Sequence, residues 1–242
     1  MSAIKIEALT KRYKNIVAVD NLSLCIEEGE LFSLLGVNGA GKSTTVKMLS
    51  CLTAPTSGDA YLFEQSICKE TAEVKSFISV SPQETAVARG LSVRENLELI
   101  CGVYGFTKEK REKKIAELCD LLSLSEVINR KAGKLSGGWQ RRLSIAMALI
   151  SEPKILFLDE PTLGLDVIAR SDLWDIIRSL KGKVTIILTT HYMEEAEALS
   201  DRIAIMKEGK LLICDTPENI KKMADTQSFE EAFVRIIKEA KK

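Results

Sequence analysis

Residues Gly36-Val37-Asn38-Gly39-Ala40-Gly41-Lys42-Ser43 follow the pattern G-x-x-x-x-G-K-[ST]. Glycines in this arrangement let successive backbone N–H groups turn inward around phosphate oxygens. Lys42 adds a positive point charge, and Ser43, followed by Thr44, offers a hydroxyl to a hard cation such as Mg2+. A second group lies far along the chain, where the apolar run Ile155 to Leu158 ends in Asp159 and Glu160. Neighbouring residues on a strand point to opposite sides, which predicts separate tasks for the two acids. Asp159 suits Mg2+ held through water, and Glu160 suits polarising a water that attacks a terminal phosphate.

Such groups need a frame. Leu31 to Leu35 is a short apolar run entering the glycines, and Ser43 to Cys51 reads as a helix leaving them, so the helix start also faces the anion. Ile4, Ile6 and Ala8, then Leu22, Leu24 and Ile26, alternate as strands do. A turn with Pro55 and Gly58 enters another strand, and Phe77 to Val80 is a further one ending at Ser81-Pro82. Ser92 with Glu95 forms a capping box before a helix whose apolar face is Val93, Leu97, Ile100, Cys101 and Tyr104. Thr107 to Leu122 continues as helix, and its charges from Lys108 to Lys114 predict a solvated face. Leu143 to Ile150 predicts a buried helix, and Ala169, Leu173, Ile176, Ile177 and Leu180 mark an amphipathic one. Ile155 to Leu158 and Val184 to Leu188 are unalternated, as in a parallel sheet covered on both faces. Ile203 to Met206 and Leu211 to Cys214 flank a hairpin turn, and helix follows from Pro217.

Composition narrows the function. The 242 residues carry 34 Lys+Arg against 34 Asp+Glu, so a strongly basic nucleic-acid binder is excluded. No run approaches the roughly 18 apolar residues of a membrane span, and no secretory signal is expected at the N-terminus. Six scattered cysteines with no Cys-x-x-Cys pair predict small core residues in a reducing compartment. His191 is the single histidine, so a multi-histidine metal site within one chain is impossible.

Leu135-Ser136-Gly137-Gly138-Trp139, about twenty residues before the acidic strand, completes a combination that resembles the nucleotide-binding subunit of ATP-binding-cassette (ABC) transporters. The usual fifth residue of that signature is Gln, where this chain has Trp139 followed by Gln140. The resemblance covers nearly the whole chain. It implies an α/β fold of the P-loop NTPase type, with a mixed central sheet, an antiparallel N-terminal β-subdomain and an inserted α-helical lobe. In residue terms this is one nucleotide-binding domain over 1–242, with a core over 1–88 and 133–242 and the lobe over about 89–132.

It also implies roles. Tyr13 matches the aromatic residue that stacks on adenine, and Gly36, Asn38, Gly39, Ala40, Gly41, Lys42, Ser43 and Thr44 hold the phosphates of ATP. Gln83 matches a contact to Mg2+ and the attacking water, alongside Ser43 and Asp159. Glu160, His191 and Gln83 carry hydrolysis. Ser136, Gly137, Gly138 and Asp166, in Leu163-Gly164-Leu165-Asp166, reach the ATP of a second cassette, the two pairing head to tail. Arg141 and Arg142 read as helix-surface charges.

The implied partners are a transmembrane permease subunit and that second cassette, with no nucleic acid, and the implied location is the cytoplasmic face of the membrane. Val93-Arg94-Glu95-Asn96-Leu97 with Tyr104-Gly105, and Thr190-His191-Tyr192-Met193-Glu194-Glu195-Ala196-Glu197, look like cassettes of drug, antibiotic or lipid-linked export systems, as does the absence of the extra β-domain of sugar importers. Alternatives are an importer cassette or an ABC-type ATPase without a transport role. A P-loop kinase or GTPase has no use for Leu135 to Gly138, and no Asn-Lys-x-Asp element is present.

Overall fold

The computed structural model describes residues 2–240. In chain order its elements are β1 (Ser2–Tyr13), β2 (Ile16–Glu27), β3 (Leu31–Leu35), α1 (Lys42–Leu49), β4 (Ser57–Leu62), β5 (Gln65–Ser66), α2 (Thr71–Phe77) and β6 (Ile78–Ser81). Then come α3 (Val93–Val103), α4 (Lys108–Leu121), α5 (Gly137–Leu149), β7 (Ile155–Asp159), α6 (Val167–Leu180) and β8 (Thr185–Thr190). The chain closes with α7 (Met193–Leu199), β9 (Arg202–Lys207), β10 (Lys210–Asp215), α8 (Pro217–Met223) and α9 (Phe229–Glu239).

The strands form two sheets. An antiparallel sheet runs β2-β1-β4-β5, and a mixed one runs β10-β9-β3-β8-β7-β6, with β10 as the antiparallel edge. Both sheets of the expected fold are therefore present. The mixed sheet is buried on both faces because its strands send alternate residues to opposite sides. Leu156, Leu158, Ile186 and Leu188 pack under α3, α4, α5 and α6 in one apolar cluster. Ile155, Phe157 and Ile187 pack on the other side with α1 and the antiparallel sheet. Ile203 and Ile205 face a third cluster with α7, α8 and α9, anchored by Phe229 and Phe233.

Local chemistry sets the element ends. Ser92 accepts from the Glu95 N–H at 3.2 Å while Glu95 Oε2 accepts from the Ser92 N–H at 2.7 Å, so the expected capping box starts α3. Asn96, fully buried one turn later, accepts from the Ala88 N–H at 2.8 Å and donates to the Ala88 and Ser92 carbonyls at 3.1 and 2.8 Å. One amide thereby fixes the segment that leads from Gln83 into the helices. The β9–β10 turn uses Glu208 and Gly209 at φ 49° and 81°, the left-handed pair that a tight hairpin requires.

Several sequence expectations need correction. The alternation of β1 slips between Ile6 and Leu9, so Ala8 (φ 51°) is exposed and Leu9 is buried instead. Tyr104 lies beyond the last turn of α3 and is exposed, not part of its apolar face. Lys114 departs from the solvated face of α4: it is buried and pairs with Glu152 at 3.0 Å and Glu117 at 3.3 Å. Cys101 and Cys119 are buried, but Cys25 and Cys68 are exposed and Cys51 and Cys214 lie between, so they are not all core residues. The short α2 and β5 carry too few residues for a periodic signal and have no counterpart in the sequence reading. Among the described residues no helix is long and apolar enough to cross a membrane.

Removing the Ser92 hydroxyl leaves the first turn of α3 uncapped. Ser92→Ala is expected to lower unfolding free energy by about 1 kcal/mol, read as a lower urea midpoint at an unchanged slope.

Candidate functional site

Three parallel strands end together. Leu35 pairs with Thr190 in β8, and Asp159 at the end of β7 pairs with Thr189. The glycine loop after β3, the acids after β7 and His191 after β8 therefore emerge at one sheet edge, where open parallel sheets bind ligands.

The loop's shape depends on missing side chains. A Cβ at Gly36 would overlap the Met206 carbonyl oxygen, and one at Gly41 (φ 102°) would overlap that of Ala18. The β9–β10 turn braces the same loop, since Gly209 donates its N–H to the Ala40 carbonyl at 3.1 Å and accepts from the Asp20 N–H at 2.8 Å. Lys42 opens α1 with its ammonium buried, donating to the Gly36 carbonyl at 2.7 Å and the Val37 carbonyl at 3.4 Å. Its Nζ is 4.0 Å from Glu160 Oε1. Burial pulls the Lys42 pKa down, and the carboxylates of Glu160 and Asp159 oppose that shift. An added anion would act in the same direction as those carboxylates.

Thr189, fully buried, joins the two acids. Its hydroxyl donates to Asp159 Oδ1, and Thr189 Oγ1 accepts from the Glu160 N–H at 3.1 Å. Asp159 Oδ1 also accepts from the Ser43 hydroxyl at 3.2 Å. Glu160 turns away by adopting φ 47°, a left-handed conformation, so the acids separate by a turn rather than by strand alternation. Its Oε1 lies 3.3 Å from His191 Nδ1, which makes no hydrogen bond of regular geometry. A cleft of about 600 Å3 gathers Asn38, Gly39, Ala40, Gly41, Lys42, Ser43 and Thr44 with Gln83, Glu160 and His191. Its opposite wall is Ile16 and Ala18 of β2. Tyr13 is not on that lining: it is 44% exposed at the end of β1, paired with Ile16, with the Lys11 ammonium 5.1 Å from its ring.

Ser136, Gly138 and Asp166 come together elsewhere, in a separate cleft of about 300 Å3 that shares no lining residue with the first. Ser136 precedes α5 without making a side-chain cap, and Ser136 and Gly137 are exposed. Asp166 caps α6 by accepting from the Ala169 N–H at 2.9 Å. Trp139 is half-buried there, with the Arg142 guanidinium 4.8 Å from its ring and that arginine paired to Asp172 at 2.7 Å.

Arg141 corrects the surface reading: it is 4% exposed. Its guanidinium donates to the Pro82 carbonyl at 2.5 Å and to the Gln83 carbonyl, tying α5 to the backbone on which Gln83 sits. Burial lowers its pKa, and Asp159 and Glu195 oppose the shift. Adjacent arginines gave no sequence signal for this, because only the fold reveals which one faces inward.

Residues 19–163 match the family described as ABC transporter. The chain belongs to that family.

The probable multidrug ABC transporter ATP-binding protein YbhF of Escherichia coli is 36% identical over 98% of this cassette, which spans 42% of that protein's length. The daunorubicin/doxorubicin resistance ATP-binding protein DrrA of Streptomyces peucetius is 40% identical over 90% of this chain and 67% of its own. The cassette also superposes on a solved ATP-binding subunit of an ABC transporter with a TM-score of 0.85 at 25% identity, covering 97% of this chain and 99% of the other. The ATP-binding cassette MJ0796, solved as a post-hydrolysis dimer bound to ADP and Pi, gives a TM-score of 0.78 at 30% identity, covering 88% and 98%.

Arg141→Met would leave the Pro82 and Gln83 carbonyls without their donor. It is expected to cost about 1–3 kcal/mol of stability and to raise amide exchange over residues 83–86 with little change over 36–46.

Proposed function

We propose that this cassette hydrolyses ATP and thereby drives a separate membrane-spanning subunit, as an exporter. The observation that carries the hydrolytic reading is the convergence of the Lys42 ammonium, the Glu160 carboxylate and the His191 imidazole on the one cleft that the glycine loop lines. In this reading Gly36 to Thr44 cradle the phosphates, Lys42 neutralises the outer ones, and the hairpin side bearing Tyr13 and Ile16 receives the adenine. Glu160 orients and deprotonates the attacking water, and His191 contacts the γ-phosphate.

Mg2+ suits the oxygen donors present. Ser43 and Asp159 stand in contact at 3.2 Å, Gln83 lines the same cleft, and among the described residues no set of three or more His, Cys, Asp or Glu competes as a closed metal cage. Such an ion takes one or two protein ligands plus phosphate and water oxygens, and when bound it neutralises charge on the transferring phosphoryl group.

The separation of Ser136, Gly138 and Asp166 from the glycine loop supports a second cassette as partner. Head-to-tail pairing would bring Ser136, Gly137, Gly138 and Asp166 of one copy onto the nucleotide held by the other. ATP would then bridge the two surfaces, and loss of the γ-phosphate would remove the bridge, which is how a ligand biases open and closed states. Export through a permease partner, which would place the cassette at the cytoplasmic face of a membrane, is supported by the name multidrug ABC transporter ATP-binding protein for YbhF and by daunorubicin/doxorubicin resistance in that of DrrA.

Two substitutions test the chemistry. Glu160→Gln is expected to bind ATP while turning over at least about 100-fold more slowly, and with ATP present to shift from monomer to dimer in size-exclusion chromatography. Turnover within a few-fold of the parent would remove the role of Glu160. Lys42→Ala is expected to lose ATP binding by more than about tenfold in equilibrium titration; unchanged affinity would remove the phosphate-loop assignment.

A further inference from the structure

Outside the residues assigned above, Glu195 is a charged group in the first turn of α7 that is fully buried. Its Oε1 accepts from the Thr162 hydroxyl at 2.8 Å and from the Trp174 indole N–H at 3.1 Å. Burial raises the Glu195 pKa, and hydrogen bonding from Thr190, Thr162 and Trp174, with the more distant Arg170, opposes that rise. Oε2 is buried without a hydrogen bond of regular geometry. Burying a carboxylate in this way costs more than burying an apolar side chain of similar volume. Packing alone therefore gives no reason for an acid here.

The partners supply a reason. Thr162 lies two residues after Glu160 and is itself fully buried, in a turn closed by the Leu163 N–H donating to the Glu160 carbonyl at 3.2 Å. Thr190 immediately precedes His191 and accepts from the Tyr192 N–H at 3.0 Å. Trp174 belongs to α6, the helix that Asp166 caps. One carboxylate thus meets the segment after Glu160, the residue before His191 and the helix behind Asp166. Glu195 is absent from the lining of the nucleotide cleft.

We propose that Glu195 is a positioning residue for hydrolysis: by holding Thr162 and the end of β8 on one carboxylate it fixes the Glu160–His191 spacing without touching nucleotide. The inference rests on the hydrolytic reading given above. A displacement of about 1 Å between reacting groups is enough to cost on the order of 100-fold in rate, so loss of this tie acts on turnover rather than on affinity.

Three variants test it. Glu195→Leu removes the acceptor, Thr162→Val removes one donor at nearly constant shape, and Glu195→Gln keeps an acceptor oxygen for Thr162 and Trp174. The first two are expected to lower kcat by about 10- to 100-fold with KM for ATP and Kd for Mg-ADP within about threefold of the parent, and Glu195→Gln to return most of that loss. Amide exchange over 160–163 and 190–192 is expected to rise in Glu195→Leu and Thr162→Val while 36–46 stays as in the parent. Parental kcat in Thr162→Val, a KM that rises in step with the fall in kcat, or unchanged exchange in both segments would overturn the proposal. If Glu195→Leu does not fold, Thr162→Val decides alone. If the parent does not hydrolyse ATP, the hydrolytic reading fails, and the exchange measurement still decides whether Glu195 holds the two segments.

Discussion

The parallel ladder of β3, β8 and β7 is the constraint on which the site depends. Its register, Leu35 with Thr190 and Asp159 with Thr189, brings three distant stretches of chain to the same depth at one edge. A shift of one residue would carry Thr189 away from Asp159 and exchange every buried side chain between the two faces. The register is specified because both faces are covered, by helices on one side and by α1 with the antiparallel sheet on the other. Core packing and site geometry are therefore one requirement.

Within that frame the Thr189 hydroxyl works twice, as donor to Asp159 and acceptor from Glu160. It holds one acid toward Ser43 and turns the other toward Lys42 and His191. Two adjacent carboxylates thus occupy different settings, as the separate roles proposed for them require. The strained φ of Glu160 is the cost of that separation, and the paired Thr189 carbonyl and hydroxyl, both accepting from its N–H, offset it.

Much of this was legible in the sequence, for physical reasons that also mark where legibility stopped. The glycine loop, Lys42, Ser43 and the apolar strand before Asp159 announce themselves because backbone cradles and buried strands demand particular residue types at fixed spacing. The capping box at Ser92 is a similar local device. Arg141 and Glu195 give no such signal: each is a polar side chain buried by partners far away in sequence, and an arginine or glutamate on a helix reads as surface until its neighbours are known. Ala8 failed in the opposite sense, because a bulge breaks the period of two without altering composition. For Tyr13 only the resemblance speaks, and in the structure it borders the cleft through its neighbour Ile16 rather than lining it.

The brace from Gly209 to Ala40 has a consequence for how the molecule comes into being. The two residues lie about 170 positions apart, so the phosphate loop cannot be completed by local contacts. A chain emerging from its N-terminus presents the entire glycine motif early but lacks the turn that holds it until about 170 further residues have been made. The braced shape of the loop is therefore acquired late, as a final inspection of the assembled sheet rather than as a property of the motif itself.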